Sequence, residues 1–340
     1  MSELLRRLVS HITQRADPRI HVVTSSNIAD EEPTTTLAPA SPQIASAEIV
    51  EPSGKINGVP VGEPTPSRFS YFIDGIERRR VVMYYAGVPV LYGFAASACR
   101  HRDRRERRMQ THGEPVIREA LFCPKRLVGF CSEGIDVIDV EENGTVFEDH
   151  PVVLLEAAKH KVSDVRARLE AQVISSWLAD FEGTDEWLLV DGSLSGDYHL
   201  YNAPNVVGVV KSHQTQYFPI EEQRKILELR VGERSGLFVP KGRKRHEVYS
   251  WYLRLWSHHG QDAYFGLVRI EAPKCERTLA MVDQICQWLL AERTPLSLPD
   301  SRWDRMLYPI RDCEQFLASL APSKVMLDSA MMRLVAADRR

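Results

Sequence analysis

Residues 187–194 read WLLVDGSL. Four consecutive large apolar residues without alternation describe a strand covered on both faces. Asp191, Gly192 and Ser193 then break the run, so the chain leaves the sheet with a carboxylate at its end. The same pattern stands upstream in YFIDGIER, residues 71–78, where Asp74 and Gly75 follow apolar residues. Between the two copies, DVRARLEAQVISSWLAD (164–180) places Val165, Leu169, Val173 and Trp177 at four-residue intervals. That spacing predicts an amphipathic helix, with Ser163 as its N-cap, leading straight into the WLLVD strand.

On either side of this unit, RFSYFIDG, RRRVVMYYAGVPVLYGFAASACR and EALFCPKRLVGFCSEGIDVIDVE are rich in Val, Ile, Tyr and Phe and punctuated by Gly and Pro, the signature of a strand meander. NVVGVVKSH, GLFVP, VYSWYLRLW and YFGLVRIEAP continue in strand character, and helices are expected near 278–292 and 309–320. This order predicts an α/β fold, a mixed sheet flanked by helices, antiparallel at first and with a later strand reached through a helix. Asp74 and Asp191 then come to lie side by side at its centre.

A chain of 340 residues, 44% of them hydrophobic, suffices for one large domain or two smaller ones. Residues 69–325 are expected to form the main domain. Before it, Leu4, Leu5, Leu8, Val9 and Ile12 mark one face of a short helix within residues 1–23, stopped by Asp17-Pro18. Residues 24–68, dominated by Thr, Ser, Pro, Ala and Gly, read as a flexible linker. The helix is thus expected to be tethered, either packing back on its own domain or docking a partner. Residues 326–340 read as a C-terminal tail. Cys99, Cys123, Cys131, Cys275, Cys286 and Cys313 show no C-x-x-C pair and no zinc-like spacing, and read as reduced core residues of a cytoplasmic protein. With no long apolar stretch, neither secretion nor a membrane span is expected.

A net charge of -3 excludes a globally basic nucleic-acid binder, so any such surface must be local. Two basic clusters qualify. CRHRDRRERRMQTH holds six arginines between Arg100 and Arg108, of which Arg104, Arg105, Arg107 and Arg108 are candidates for DNA contact. KGRKRHE (241–247) adds Lys241, Arg243, Lys244 and Arg245. Both runs read as loops or hairpin tips, and solvated loops are the ordinary use of such charge.

The acids carry the chemistry. A carboxylate desolvated within a sheet costs several kcal/mol unless it is paired or binds a cation, so two converging ones call for a counter-charge. Mg²⁺ and Mn²⁺ prefer hard oxygen ligands, and two ions about 4 Å apart stabilise attacking and leaving oxygens in phosphodiester cleavage. Asp-Gly alone is a common turn signal, which makes the pairing rather than either copy the informative feature. Glu170, beside the buried stripe of the predicted helix, is a third candidate. In MLYPIRDCEQFLAS, Tyr308-Pro309 starts a helix whose first turns carry Asp312 and Glu314.

FIDG, RARLE, LLVDGSL, VVGVVKSH, SWYLRLW, GLVRIEAP and YPIRDCE, in this order over roughly residues 70–320, resemble the NurA nuclease family. The resemblance implies an RNase H-like core, dependence on Mn²⁺ or Mg²⁺, DNA cleavage, a homodimer and work with a HerA-type hexameric ATPase in DNA end processing or defence against foreign DNA. It casts Asp74, Glu170 and Asp191 as metal ligands, Lys211 as a phosphate contact, and Glu314, with Asp312 as the competing choice, as the fourth acid. The chain departs from the family pattern at Ile76, where Ser is common, and in lacking the usual C-terminal histidine. The competing class is a non-catalytic DNA-binding or regulatory subunit of such a translocase. The sequence contains no Gly-Lys-Ser/Thr phosphate loop, so ATP-driven movement would come from a partner.

Overall fold

Ala86 and Gly87 both take positive φ (47° and 85°), the backbone that a two-residue hairpin turn needs to match the twist of its strands. That turn joins two of the three longest strands among the described residues. The computed structural model describes residues 3–15, 17–23, 43–51, 53–129, 134–141, 146–194, 205–241, 247–294 and 303–338. In chain order come α1 (Glu3–Arg15), β1 (Ile20–Val22), β2 (Gln43–Ile44), β3 (Ala47–Ile49), β4 (Val59–Pro60), β5 (Phe69–Tyr85), β6 (Val88–Asp103), β7 (Arg108–Cys123) and β8 (Val137–Asp139). Then follow α2 (Pro151–Asp180), β9 (Trp187–Asp191), β10 (Val206–Val210), β11 (Thr215–Gln216), α3 (Ile220–Leu227), β12 (Glu233–Arg234) and β13 (Phe238–Pro240). Last are β14 (Val248–Arg254), β15 (Leu267–Pro273), α4 (Glu276–Glu292), α5 (Tyr308–Leu320) and α6 (Lys324–Asp338).

The fold is α/β, with one large mixed sheet flanked by helices and ordered β3-β13-β14-β15-β10-β9-β5-β6-β7-β8. β5, β6 and β7 form the expected antiparallel meander. β9, reached through α2, lies parallel to both β5 and β10, and the antiparallel strands β15 and β14 continue outward from β10. One face of the centre is covered by α2, whose Val173, Ile174 and Trp177 pack on Tyr71, Ile73, Leu188 and Val190. On the other face Phe72, Leu189 and Val209 meet Ile285, Trp288 and Leu289 of α4 and Ile310 of α5. Among the described residues no helix is long and apolar enough to cross a membrane. The cysteines described are free thiols, with Cys99, Cys123, Cys286 and Cys313 buried; Cys131 lies outside the described residues.

Several expectations need correction. The helix before β9 begins at Pro151, capped by His150, rather than after Ser163. Ser163 is interior to it and donates to Glu77 Oε1 at 3.0 Å. The apolar residues of its first half, Leu154, Leu155, Ala158 and Val162, sink between β6 and its neighbours, a burial too broad to register as a single stripe. Of the expected linker, 24–42 lies outside the described residues, whereas most of 43–68 belongs to the domain. β3 pairs with β13, β4 with β12 and β2 with β11, while Ile56 and Val61 are buried. A composition average hides these few anchors, and backbone pairing is indifferent to side-chain polarity.

The N-terminal helix is not held apart. Leu4, Leu5, Leu8 and Ile12 lie in one cluster with Leu327, Ala330, Met331 and Leu334, so the apolar face proposed for docking is spent on α6. The expected C-terminal tail is this helix α6, which also offers Asp328 to the buried Arg80 of β5. Leu5→Ala and Leu8→Ala, at side chains with no exposure, are expected to cost about 2–5 kcal/mol each, read from urea unfolding. A helix serving only as a tether would lose nothing measurable.

Candidate active site

Register places the two Asp-Gly acids together. β5 and β9 pair through Ile73↔Val190, and one residue onward the same alignment sets Asp74 beside Asp191, which itself pairs across to Val209. Side chains alternate along a strand, so Asp74 shares the face of Phe72, and Asp191 that of Leu189, both in the layer under α4 and α5. β9 stops at Asp191 while β5 runs on to Tyr85, so the acids sit where the parallel strands end, the usual place for a ligand crevice in an open sheet.

Asp74 is 7% exposed. Burial pushes its carboxyl well above the usual range; the charges of Asp191 and Glu170 push further, with Lys211 and the Gly75 amide opposing. That amide donates to Asp74 Oδ1 at 2.7 Å, and Ser97 Oγ donates to the Asp74 carbonyl at 2.9 Å. Lys211, just past β10, reaches back so that its Nζ stands 2.9 Å from each oxygen of Asp191. Arg305 Nη1 in turn donates to the Lys211 carbonyl at 3.2 Å.

Glu170 enters from α2 and bends in over Gly75. A Cβ at Gly75 would strike its Oε1 and fall 2.8 Å from its Cγ, so glycine here clears space for the helix carboxylate. Burial raises Glu170 to about 7, with the Arg166 guanidinium opposing and Asp191 adding. Arg166, one turn earlier, pairs with Glu170 and reaches Glu77 at 3.3 Å. Gly192 plays a different part. Its φ of 119° turns the chain out of β9, its N–H donates to Val209 O at 2.8 Å, and its carbonyl passes the point where a Cβ on Gly208 would sit, at 2.6 Å.

α5 starts at Tyr308 as the Tyr-Pro signal predicts and is pinned over β5 by Cys313, whose Sγ donates to Phe72 O at 3.3 Å. Asp312 is taken up on the β6 side, where Arg100 Nε donates to it at 2.8 Å and the Arg100 guanidinium lies 4.6 Å from the Phe316 ring. Glu314, half-buried, follows Cys313 by one step of about 100° and so turns to the flank of α5 opposite Asp312.

Among the described residues, no side chain of either basic cluster pairs with Asp74, Glu170 or Asp191. Arg100, Arg102 and Arg104 share one face of β6 and its tip and act as internal clamps. Arg102 pairs with Glu292 and donates to Phe69 O at 2.6 Å, and Arg104 donates to Ser67 O. Arg104 is nonetheless exposed, so this backbone bond leaves part of its guanidinium turned to solvent. Arg105 and Arg107 are exposed at the tip, and Arg108 pairs with Glu106. The tip stands beside the start of β5, roughly 17 Å of strand before Asp74. Lys241 is exposed, 4.0 Å from Glu48; Arg243, Lys244 and Arg245 lie outside the described residues.

Sequence reasoning passed over Glu271, in β15, which is fully buried and accepts from Ser193 Oγ at 3.0 Å and from the Leu194 amide at 2.8 Å. Its signal was an acid two residues after Arg269 in the strand-like run GLVRIEAP, a charge that a covered strand tolerates only with a partner.

The donor set is three carboxylates, which suits a hard divalent cation such as Mg²⁺ or Mn²⁺. Among the described residues no three such side chains already converge on one ion-sized point. Lys211 and Arg166 stand on Asp191 and Glu170 as the counter-charges an ion would replace, and the buried Asp74 carboxylate has no ion-pair partner among the described residues. The acids thus fit a cation in kind, with rearrangement of two basic side chains. Comparison with protein-family models and with curated proteins finds no match for this chain.

Asp74 and Glu170 hold their protons in the folded chain above the ordinary values of 3.8 and 4.5. Folding therefore takes up protons, and the metal-free protein should lose stability as pH rises from about 4 through about 7. Asp74→Asn should flatten that slope and raise metal-free stability at pH 7.5 by about 1 kcal/mol or more, read from thermal unfolding across the range. Gly75→Ala should keep a native circular dichroism spectrum yet abolish any rise of Tm on adding Mn²⁺, because the methyl group evicts Glu170.

Proposed function

We propose that the protein is a metal-dependent deoxyribonuclease with an RNase H-like core. The observation that carries the reading is that Asp74 and Asp191 stand side by side on two adjacent parallel strands, with Glu170 of the crossover helix near enough for the charges of the three acids to bear on one another. The order β7-β6-β5-β9-β10, a meander followed through the crossover α2 by a parallel strand returned beside its first strand, supports that reading of the core.

Asp74, Asp191 and Glu170 would hold Mn²⁺ or Mg²⁺, with Glu314 the better placed of the two α5 acids to join them. The cation supplies a Lewis acid for the phosphodiester and a water acidic enough to attack it. Lys211, released from Asp191, offers its ammonium to a phosphate oxygen as a point charge. Arg166 keeps Glu170 directed over Gly75, and the Gly75 amide orients Asp74. β5 and β9 sit inside the covered sheet, which gives the acids a rigid, poorly hydrated setting in which their charge is strongest. DNA is the substrate of this reading, and a second copy of the chain and a HerA-type hexameric ATPase are its proposed partners. The exposed Arg105, Arg107, Arg108 and Lys241 remain proposed contacts for DNA held away from the cut.

The pairs Lys211–Asp191 and Arg166–Glu170 favour one other reading, a DNA-binding or regulatory subunit whose acids stay internally neutralised. The test is cleavage of end-labelled single- and double-stranded DNA with Mn²⁺, Mg²⁺ or EDTA. Cutting should need the ion and fall at least about a hundredfold in Asp74→Asn and Asp191→Asn, with a smaller loss in Lys211→Ala. A well-folded Asp191→Asn protein that cuts at the wild-type rate would sink the nuclease reading.

A further inference from the structure

We infer that Glu271 is a positioning residue that locks the DGSL turn and thereby holds Asp191 ready for a divalent cation; the inference rests on the metal-dependent reading above. β15 lies against β10 with Glu271 opposite Gly208, the residue whose missing side chain lets the Gly192 carbonyl pass. From there the carboxylate divides its oxygens. Oε2 accepts the Ser193 hydroxyl at 3.0 Å and the Leu194 amide at 2.8 Å, and Oε1 is taken by Arg269 Nη1. Arg269 is itself buried, lies 5.2 Å from the Tyr217 ring and reaches Ser250 Oγ at 3.3 Å. The turn after Asp191 is therefore tied, through one carboxylate, to a strand two places away in the sheet.

A buried ion pair is a poor way to stabilise a core, since apolar residues of the same volume usually serve as well. What apolar residues cannot do is accept two hydrogen bonds from a turn. That turn begins at Gly192, the residue with the least backbone resistance to movement, immediately after a candidate cation ligand. Groups that fix the ligands of a metal without touching it commonly set its affinity by 10–100-fold.

The test is a Mn²⁺ titration of the full chain without DNA, following free Mn²⁺ by electron paramagnetic resonance, alongside Tm and the Mn²⁺ dependence of DNA cleavage. Glu271→Gln should raise the half-saturating Mn²⁺ concentration about 10–100-fold in both binding and cleavage. Ser193→Ala, which removes one of the two bonds to the turn and leaves Glu271 held by the Leu194 amide and Arg269, should raise it a few-fold with a modest fall in Tm and a folded protein. If Glu271→Gln fails to fold, Ser193→Ala carries the test alone. Wild-type midpoints in the folded variants, with wild type binding Mn²⁺, would overturn the positioning role while leaving the nuclease reading intact. A wild-type protein that neither binds Mn²⁺ nor cuts DNA would overturn the metal-dependent reading and this inference together.

Discussion

Two carboxylates set side by side in the middle of a covered sheet repel each other and have lost most of their water, and much of the local structure answers that cost. Lys211 folds back from the end of β10 to straddle Asp191. Arg166 reaches across to Glu170. Asp74, the most buried of the three acids, receives only a backbone amide on its carboxylate, and burial pushes its carboxyl well above the usual range. Such an arrangement stores unfavourable electrostatics at one point, and the surrounding strands, with Phe72, Leu189 and Val209 locked under α4, are what make the storage possible. A less rigid frame would let the acids drift apart to water.

The glycines around this point divide the labour. Gly75 makes a recess for a side chain arriving from the helix layer, Gly192 bends the main chain out of the sheet, and Gly208 lets that bend lie close against the neighbouring strand. Each is required by a different neighbour, although in sequence two of them look like the same Asp-Gly turn signal. The repeated motif thus marks two unlike solutions to one problem, how to bring backbone and charge close together in a crowded sheet.

How much of this was legible follows from which forces act locally. The uninterrupted run WLLV announced a strand buried on both faces, and a helix-length segment before it announced a crossover; with those two, the adjacency of Asp74 and Asp191 follows from topology. Tyr308-Pro309 likewise starts α5 because proline fixes the first turn of a helix. Within the arginine run, charge alone does not tell direction. On a strand every second residue faces inward, and Arg100 and Arg102 face the acids of α5 and α4, while the residues of the tip from Arg104 to Arg108 are exposed. The pairing of residues 43–68 depends on partners far along the chain, and no local pattern carries that information; Glu271 is marked locally as an acid within a strand, but its bonds to the DGSL turn are not.

The embrace of α1 by α6 bears on how the molecule is assembled during synthesis. The two helices are about 300 residues apart in the chain, yet Leu5 and Leu8 are sealed only when Met331 and Leu334 arrive. Contacts of such separation form last, because the whole intervening chain must be ordered or looped before they gain anything. The apolar stripe of α1 therefore emerges early and waits longest for its cover, which makes this corner, rather than the sheet, the part of the nascent chain most in need of protection.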